Sequence, residues 1–496
     1  MVNREFDLAK APDSSVAKPF LLSEQLTLSY RGRIHFQEAI DIAATTKGSD
    51  VMNAMVGVAA NMARVDIPPV PALNRLTQVR DNLKPGEREP GGRSFMELGI
   101  ADMYGMLGNP DEMRALLVVP ERDDVLWTIS PYIYAGEAYT RRGDDPTPLM
   151  EEAMDRIARS RAHWDNHFGK TIEYARVARV LHKAGLDPKP AFTRADETLD
   201  TARRNSDRGF FDYRSYEELG VGYAACGLPE DALRMVDLIG KTVRRDEGRN
   251  WEVGQALQRI AQEHLSQGNY DAAVAAAKRL NWDKFTAKML AHKAVAEVRQ
   301  DKNASPTIDE ATSIIKDAKY EEAYEEVYPL LGIALARSGR IQEAEAMFRG
   351  IRTAIDEMDV LYKADVGFEL AKAIDEAGYE AEGLYRQSFE WADQFRTDEP
   401  DWESMYGMSW SMYEHGIRNL IEGGRFDMAK EYLDKYPDDG WSKSRLIADL
   451  AKAEAANGLP QADIESLEPS QVMDLLSGNE LTKQAALYFG LDKKVA

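Results

Sequence analysis

The sequence predicts an all-α fold, a right-handed α-solenoid of about twelve helix–turn–helix pairs. Three observations predict it. Glycines recur at the ends of apolar helical runs, and small and large apolar residues keep constant offsets on either side of them. Period-two alternation, the pattern of a half-buried strand, is not sustained anywhere. A length of 496 residues would suit roughly three ordinary domains, yet a repeat array of this length can form one unit.

The clearest copy is Leu331 to Ile351, LGIALARSGRIQEAEAMFRGI, where an apolar run ends at Gly339 and a second helix starts near Glu343. Further clear copies centre on Gly227, Gly268 and Gly424, with fair ones at Gly108, Gly143 and Gly185. Weaker copies centre near Gly32, Asp66, Asp301, Gly378 and Gly458. Seven residues before the glycine stands a small residue (Gly332, Gly220, Ala261, Ala101, Gly136, Ala178), and four before it a larger one such as Leu335, Tyr223, Tyr139 or Leu181. Five after it comes Ala344, Ala232, Ala273, Ala429 or Met113, and nine after it Phe348, Val236, Leu433 or Leu117. Small residues let two backbones approach closely while larger ones fill the seam. The glycine supplies the left-handed conformation that ends the first helix, so each unit is an antiparallel helix pair.

These residues resemble the tetratricopeptide repeat (TPR) superfamily in a loose form with longer spacing, over most of residues 20 to 465. HEAT and armadillo helices are the rival period, but they lack a regular glycine five residues before a small one. The expected organisation is a flexible segment over 1–20, the TPR-like array over 21–465 with a Pro/Gly loop at 84–94, and a capping segment over 466–496. Insertions at 302–309 and 397–402 also break the rhythm.

The charge excludes some functions. There are 84 Asp and Glu against 62 Lys and Arg, a formal net charge of −22, which argues against general binding to a phosphate backbone. By segment it is about −5 over 1–150, about +2 over 151–210 and about −19 over the rest, so the acid lies mainly in the C-terminal half. One cysteine excludes a disulfide framework and Cys-rich metal sites. Residues 1–20 lack the apolar stretch of a secretory signal, and no run approaches the ~18 apolar residues of a membrane span, so a cytoplasmic location is expected.

The resemblance implies that the first helix of each pair lines a concave surface that holds peptides or helices. Carried onto this sequence, the groove-facing positions lie thirteen, ten, nine, six, three and two residues before each glycine. They hold Arg176, Arg179, His182 and Lys183 near Gly185, with Arg141 from the preceding pair. Near Gly378 and Gly424 they hold Asp365, Glu369 and Glu414. This suggests a dipolar groove, basic in the middle and acidic toward the C-terminus, against the plainer reading of a solvated helix face. The family's carboxylate clamp is not implied, because the matching positions hold Ala175, Arg179 and Glu218.

Other constellations read as structural. His163 and His167 in HWDNH share a spacing that suits a metal, but Trp164 stands where a catalytic glutamate would be. His264 occupies a seam position and reads as a packed, hydrogen-bonded histidine, and Cys226 as a small packed residue. Gly220, Gly222 and Gly227 lie within a helix and at its end, not in a dinucleotide loop. Trp402, Tyr406, Trp410 and Tyr413 at helical spacing read first as core, and second as aromatic anchors. No catalytic residue, cofactor or metal is expected. The function expected is a non-enzymatic adapter or scaffold for a protein or peptide partner, without nucleic acid or a membrane span. A self-assembling subunit is the alternative, followed by a sensor or enzyme with a small-molecule or metal site.

Overall fold

The structure is a computed structural model, and it describes residues 14–46, 50–82, 95–117, 125–160, 166–205, 213–242, 249–316, 326–398, 408–436 and 441–458. These residues form 22 α-helices and one short 3₁₀ turn, with no strand among them. The chain divides into two compact units. One joins residues 1–103 to 420–496, and the other spans 104–419.

Ten of the twelve expected turn centres have a left-handed backbone. Their φ runs from 55° at Asp301 to 88° at Gly378, and Asp66 joins Asp301 as a non-glycine member. The hydrogen bonding is that of a Schellman closure, in which the amide after the turn residue reaches back five positions. Arg340 N donates to Leu335 O at 2.9 Å, Leu228 N to Tyr223 O at 3.0 Å and Lys302 N to Glu297 O at 2.8 Å. The last carbonyls of each first helix thereby find partners without a side-chain cap.

The larger unit is a solenoid of stacked pairs. Its first helices are α6 (Ser130–Arg142), α8 (Asn166–Lys183), α10 (Arg214–Ala225), α12 (Arg249–Ser266), α14 (Asp283–Arg299), α16 (Tyr328–Arg337) and α18 (Val360–Glu376). Their second helices are α7 (Thr147–Arg159), α9 (Lys189–Asn205), α11 (Pro229–Thr242), α13 (Tyr270–Leu280), α15 (Ser305–Ile315), α17 (Ile341–Glu357) and α19 (Glu382–Asp398). Each first helix packs on its own second helix and on the first helices beside it. The small-residue offset works as expected: a Cβ on Gly332 would run into the ring of Phe348, sixteen residues on across the seam. Tyr413, at 3% exposure, packs on Phe389 with centroids 5.1 Å apart and on Trp410 at 5.2 Å, so these aromatics belong to the core. Trp402 and Tyr406 lie outside the described residues, as do the 84–94 loop and the 466–496 segment.

The smaller unit holds the two expected turn centres that fail. It contains α1 (Ser14–Ala43), α2 (Asp50–Arg64), α3 (Val70–Asn82), α21 (Phe426–Lys435) and α22 (Trp441–Asn457). The chain leaves it within α4 (Phe95–Met106), which precedes α5 (Pro110–Leu116), and returns within α20 (Met408–Glu422). Gly32 ends no helix, because α1 runs straight through it. α1 also begins at Ser14, inside the stretch expected to be flexible. Instead, α1 lies along α22, and a Cβ on Gly32 would come within 2.8 Å of the Ala451 carbonyl. Gly458, at the end of α22, is pressed in turn against Ser29. The first and last described helices thus form one packed pair. Glu454, 0% exposed, sits between them with its Oε2 2.5 Å from His35 Nδ1 and its Oε1 2.9 Å from Arg31 Nε. The Arg31 contact is an ion pair without hydrogen-bond alignment, since Oε1 accepts no hydrogen bond.

Candidate functional site

Side chains on the first helices of the larger unit meet across more than one repeat. Arg179 on α8 reaches Glu263 on α12 at 3.3 Å, passing over α10, and Arg299 on α14 reaches Glu376 on α18 at 2.8 Å, passing over α16. Neighbouring helix axes lie about 8–10 Å apart, so in a flat layer alternate helices would stand about 16–20 Å apart. Arg and Glu side chains reaching toward each other span that separation, so each pair ties together first helices two places apart in the stack. The chain's own ion pairs thus bridge this face of the unit.

The structure distributes the expected site residues as follows. Arg176 bonds Glu173 at 3.0 Å, and Lys183 reaches Glu137 on α6 at 3.3 Å. Burial raises the pKa of Glu173 despite the charge of Arg176. Arg141 and His182 are exposed near the ends of α6 and α8. The expected basic middle is thus answered by Glu137, Glu173 and Glu263 on the same face.

The acidic end is also answered, by a residue that sequence reasoning passed over. His415 on α20 places Nδ1 3.1 Å from Asp365 Oδ1 and Nε2 2.7 Å from Glu369 Oε1, both on α18. Asn419 Nδ2 donates to the same Glu369 oxygen at 2.9 Å. Burial opposes a charge on His415, but the two carboxylates outweigh it and hold its pKa up to about 10. Glu369 is lowered in return: burial works against its charge, and the bonds from His415 and Asn419 overcome that. His415 lies nine residues before Gly424, in the groove register, so its position was available from the sequence; a count of formal charges omits it. Glu414 beside it pairs with Arg418 at 3.2 Å.

The cluster continues along the face. Lys284 and Lys288 on α14 hold Glu326 at 3.3 and 3.0 Å. His292, one turn on from Lys288, is pushed down to about 4 by burial and then by the charges of Lys288 and Lys372. This face therefore carries one protonated and one neutral imidazole among alternating charges.

Two other expectations change. His264 is packed at 1% exposure, but neither ring nitrogen makes a hydrogen bond, which corrects the hydrogen-bonded reading. Cys226 is buried as expected, and burial pushes its thiol up to about 12, far from a nucleophile's range. His163 and the side chain of His167 lie outside the described residues. Among those described, no group of three or more His, Cys, Asp or Glu is placed to hold a metal ion, and no helix is long and apolar enough to cross a membrane.

Sequence reasoning also missed a row of aromatics. Trp251, Trp282 and Tyr362 are 59%, 43% and 44% exposed and stand at or beside the first turns of α12, α14 and α18, with the half-buried Tyr328 at the start of α16. Their distances from the turn glycines vary, which hid them from an alignment anchored on those glycines.

The left-handed turns, the constant small-residue offsets and the stacked antiparallel pairs define an all-α helical-repeat protein. No family model matches the chain, and no curated protein matches its sequence. Among solved structures the chain is similar to Ton1535 from Thermococcus onnurineus NA1, with 14% identity, 71% of this chain and 98% of that one covered, and a TM-score of 0.33. It is also similar to the apo form of RapI, with 13% identity, coverage of 66% and 98%, and a TM-score of 0.28. A third is the P58(IPK) TPR domain, with 12% identity, coverage of 81% and 97%, and a TM-score of 0.16.

Proposed function

We propose that this protein is a non-enzymatic adapter whose larger unit binds a protein or peptide partner along the rim where its first helices begin. The row of Trp251, Trp282 and Tyr362 carries the reading. Large aromatic side chains exposed near the starts of neighbouring first helices add little to the fold for their size, and such residues supply most of the binding energy when a partner covers them. The charges of the first-helix face lie farther along these helices, away from their starts. Arg141, Arg176, Arg179, His182 and Lys183 flank one end, and Asp365, Glu369 and Glu414 the other. Since many of these charges already have partners, they serve selectivity and orientation more than affinity.

The test compares partner capture by the intact chain with capture by Trp251→Ala/Trp282→Ala/Tyr362→Ala. The charge-reversed Arg176→Glu/Arg179→Glu protein runs alongside. The aromatic variant loses the partner while keeping its helical circular dichroism, and the charge variant keeps most of the binding. Full retention by the aromatic variant would refute the proposal. The same rim would suit a second copy of the chain, and sedimentation at several concentrations distinguishes that case.

A further inference from the structure

His292 and His415 occupy one register in the repeats, each nine residues before its turn centre, at Asp301 and Gly424. Their surroundings differ. His415 is met by Asp365 and Glu369, which stand thirteen and nine residues before the turn of the preceding first helix, α18. The same two offsets in α12, the first helix before α14, hold Gln255 and Arg259, and Arg259 pairs with Glu217 and Glu218 on α10, each at 2.8 Å. His292 therefore lacks the carboxylates that its counterpart has. It makes no hydrogen bond among the described residues, and unlike those of His264 its ring nitrogens are not sealed from solvent.

The carboxylates nearest to His292 are committed elsewhere. α14 and α18 run in register across α16, because Arg299 and Glu376, each two residues before its turn centre, meet at 2.8 Å. This sets His292 opposite Glu369, with Lys372 one turn on along α18 and Lys288 one turn back on α14. Glu369 is taken by His415 and Asn419 at 2.7 and 2.9 Å. Glu326 is shared by Lys284 and Lys288 at 3.3 and 3.0 Å, so one carboxylate answers two ammonium groups. Between the two walls, α16 carries Leu330 and Ile333 at the matching offsets, and these offer the ring no polar side chain. Burial works against a charge on both imidazoles. On His292 the charges of Lys288 and Lys372 add to it and hold the pKa down to about 4, against weaker pulls from Glu326 and Glu369. On His415 the two carboxylates overcome it and hold the pKa up to about 10.

We propose that His292, Lys288 and Lys372 form a binding site for a carboxylate group, carried by a small free acid or by an acidic side chain of a bound segment. The carboxylate accepts hydrogen bonds from one His292 ring nitrogen and from the two ammonium groups. It thereby fills the role that Asp365 and Glu369 have at His415. A carboxylate against the ring favours its protonated form, so binding takes up a proton and tightens as pH falls from about 7.5 to about 5.5. The site lies on the first-helix face and does not rest on partner binding at the aromatic rim.

The full-length protein is titrated with lactate and with a capped peptide of alternating Glu and Leu, by calorimetry and by ¹⁵N resonances of labelled histidine rings. Sodium sulfate at equal ionic strength and the same peptide with Gln in place of Glu are the controls. Binding of a carboxylate probe should be about tenfold tighter at about pH 5.5 than at about pH 7.5, with net proton uptake, and the His292 ring should move toward its protonated resonance. Binding of lactate assigns the site to a small free acid, and binding of the Glu peptide alone assigns it to a side chain of a segment. His292→Gln should abolish the pH dependence, and Lys372→Gln should weaken binding about tenfold. The pH comparison on the unaltered protein stands even if a variant fails to fold. The proposal is overturned if neither carboxylate probe binds, if sulfate or the Gln peptide binds equally well, or if binding is indifferent to pH and leaves His292 unmoved.

Discussion

Glu454 is wholly buried between α1 and α22, and Glu454→Ala measures how far the smaller unit depends on these two helices together. Its carboxylate is wholly buried and meets Arg31 and His35, both on α1 and both mostly covered. Removing one partner of a buried ion pair typically costs about 3–5 kcal/mol, because the other charge is left desolvated. Arg31 keeps a second contact with Asp427 at 2.7 Å, but Asp427 is 91% exposed, so the lower end of that range applies. In a unit of about 150–250 residues each kcal/mol moves the melting temperature by about 2–4 °C, so about 3 kcal/mol is worth about 6–12 °C. A whole-chain melt need not be two-state, so the assay is native-state hydrogen exchange with mass spectrometry on peptides from α1 and α22. Both helices should exchange faster, and to the same degree, because each covers the other. Asp427→Ala should change exchange by less than about 1 kcal/mol. If Glu454→Ala accelerates one helix without the other, or neither, α1 does not depend on α22 in solution and the reasoning fails.

Four further outcomes follow from the structure. His415, with its pKa held near 10 against an ordinary 6.5, contributes stability that is complete below about pH 6.5 and lost as pH rises through about 10. His415→Gln should flatten the denaturation midpoint between pH 7 and 10. His292 acts in the opposite sense, since a pKa near 4 gives stability that is present above about 6.5 and lost as pH falls toward 4; His292→Phe should remove that acid-side loss. Gly332→Ala should destabilise by about 1–3 kcal/mol through the Phe348 clash, whereas Gly350→Ala, with open space around it in α17, should stabilise by about 0.5–1 kcal/mol in urea melts. Gly339→Ala should cost about 1–2 kcal/mol for its left-handed backbone, while Asp301→Gly should gain up to about 1 kcal/mol at a turn of the same geometry.

That contrast shows what was legible in the sequence. A left-handed turn is a local chemical requirement, so a glycine at the end of an apolar run announces it, and even Asp66 and Asp301 could be placed from the spacing of their neighbours. Gly32 and Gly458 misled because a glycine that ends a helix and one that lets another backbone approach look alike in one dimension. Which it is depends on a partner more than 400 residues away, and no local pattern records that α1 meets Glu454. The aromatic rim was hidden for a related reason. Trp251, Trp282 and Tyr362 lie within two residues of the helix starts, while the variable lengths of the first helices scramble their distance from the turns.

The ion pairs across the groove bear on how a partner could be held. An open concave surface would accept a segment at the cost of ordering that segment alone. Here a segment lying along the face between α8 and α12, or between α14 and α18, must also displace Arg179 from Glu263 or Arg299 from Glu376. These pairs are partly exposed, so each is worth at most about 1 kcal/mol, and a partner bringing its own charges could replace them. Exchange of that kind yields little net affinity but strongly penalises a partner whose charges fall out of register. Affinity must then come from exposed apolar surface, of which the aromatic rim supplies the largest side chains among the described residues of this unit. The rim and the groove thus have separate tasks, and they are separable in measurement: aromatic substitutions should raise the dissociation rate at every salt concentration, while groove substitutions should change discrimination between partners and the salt dependence of association.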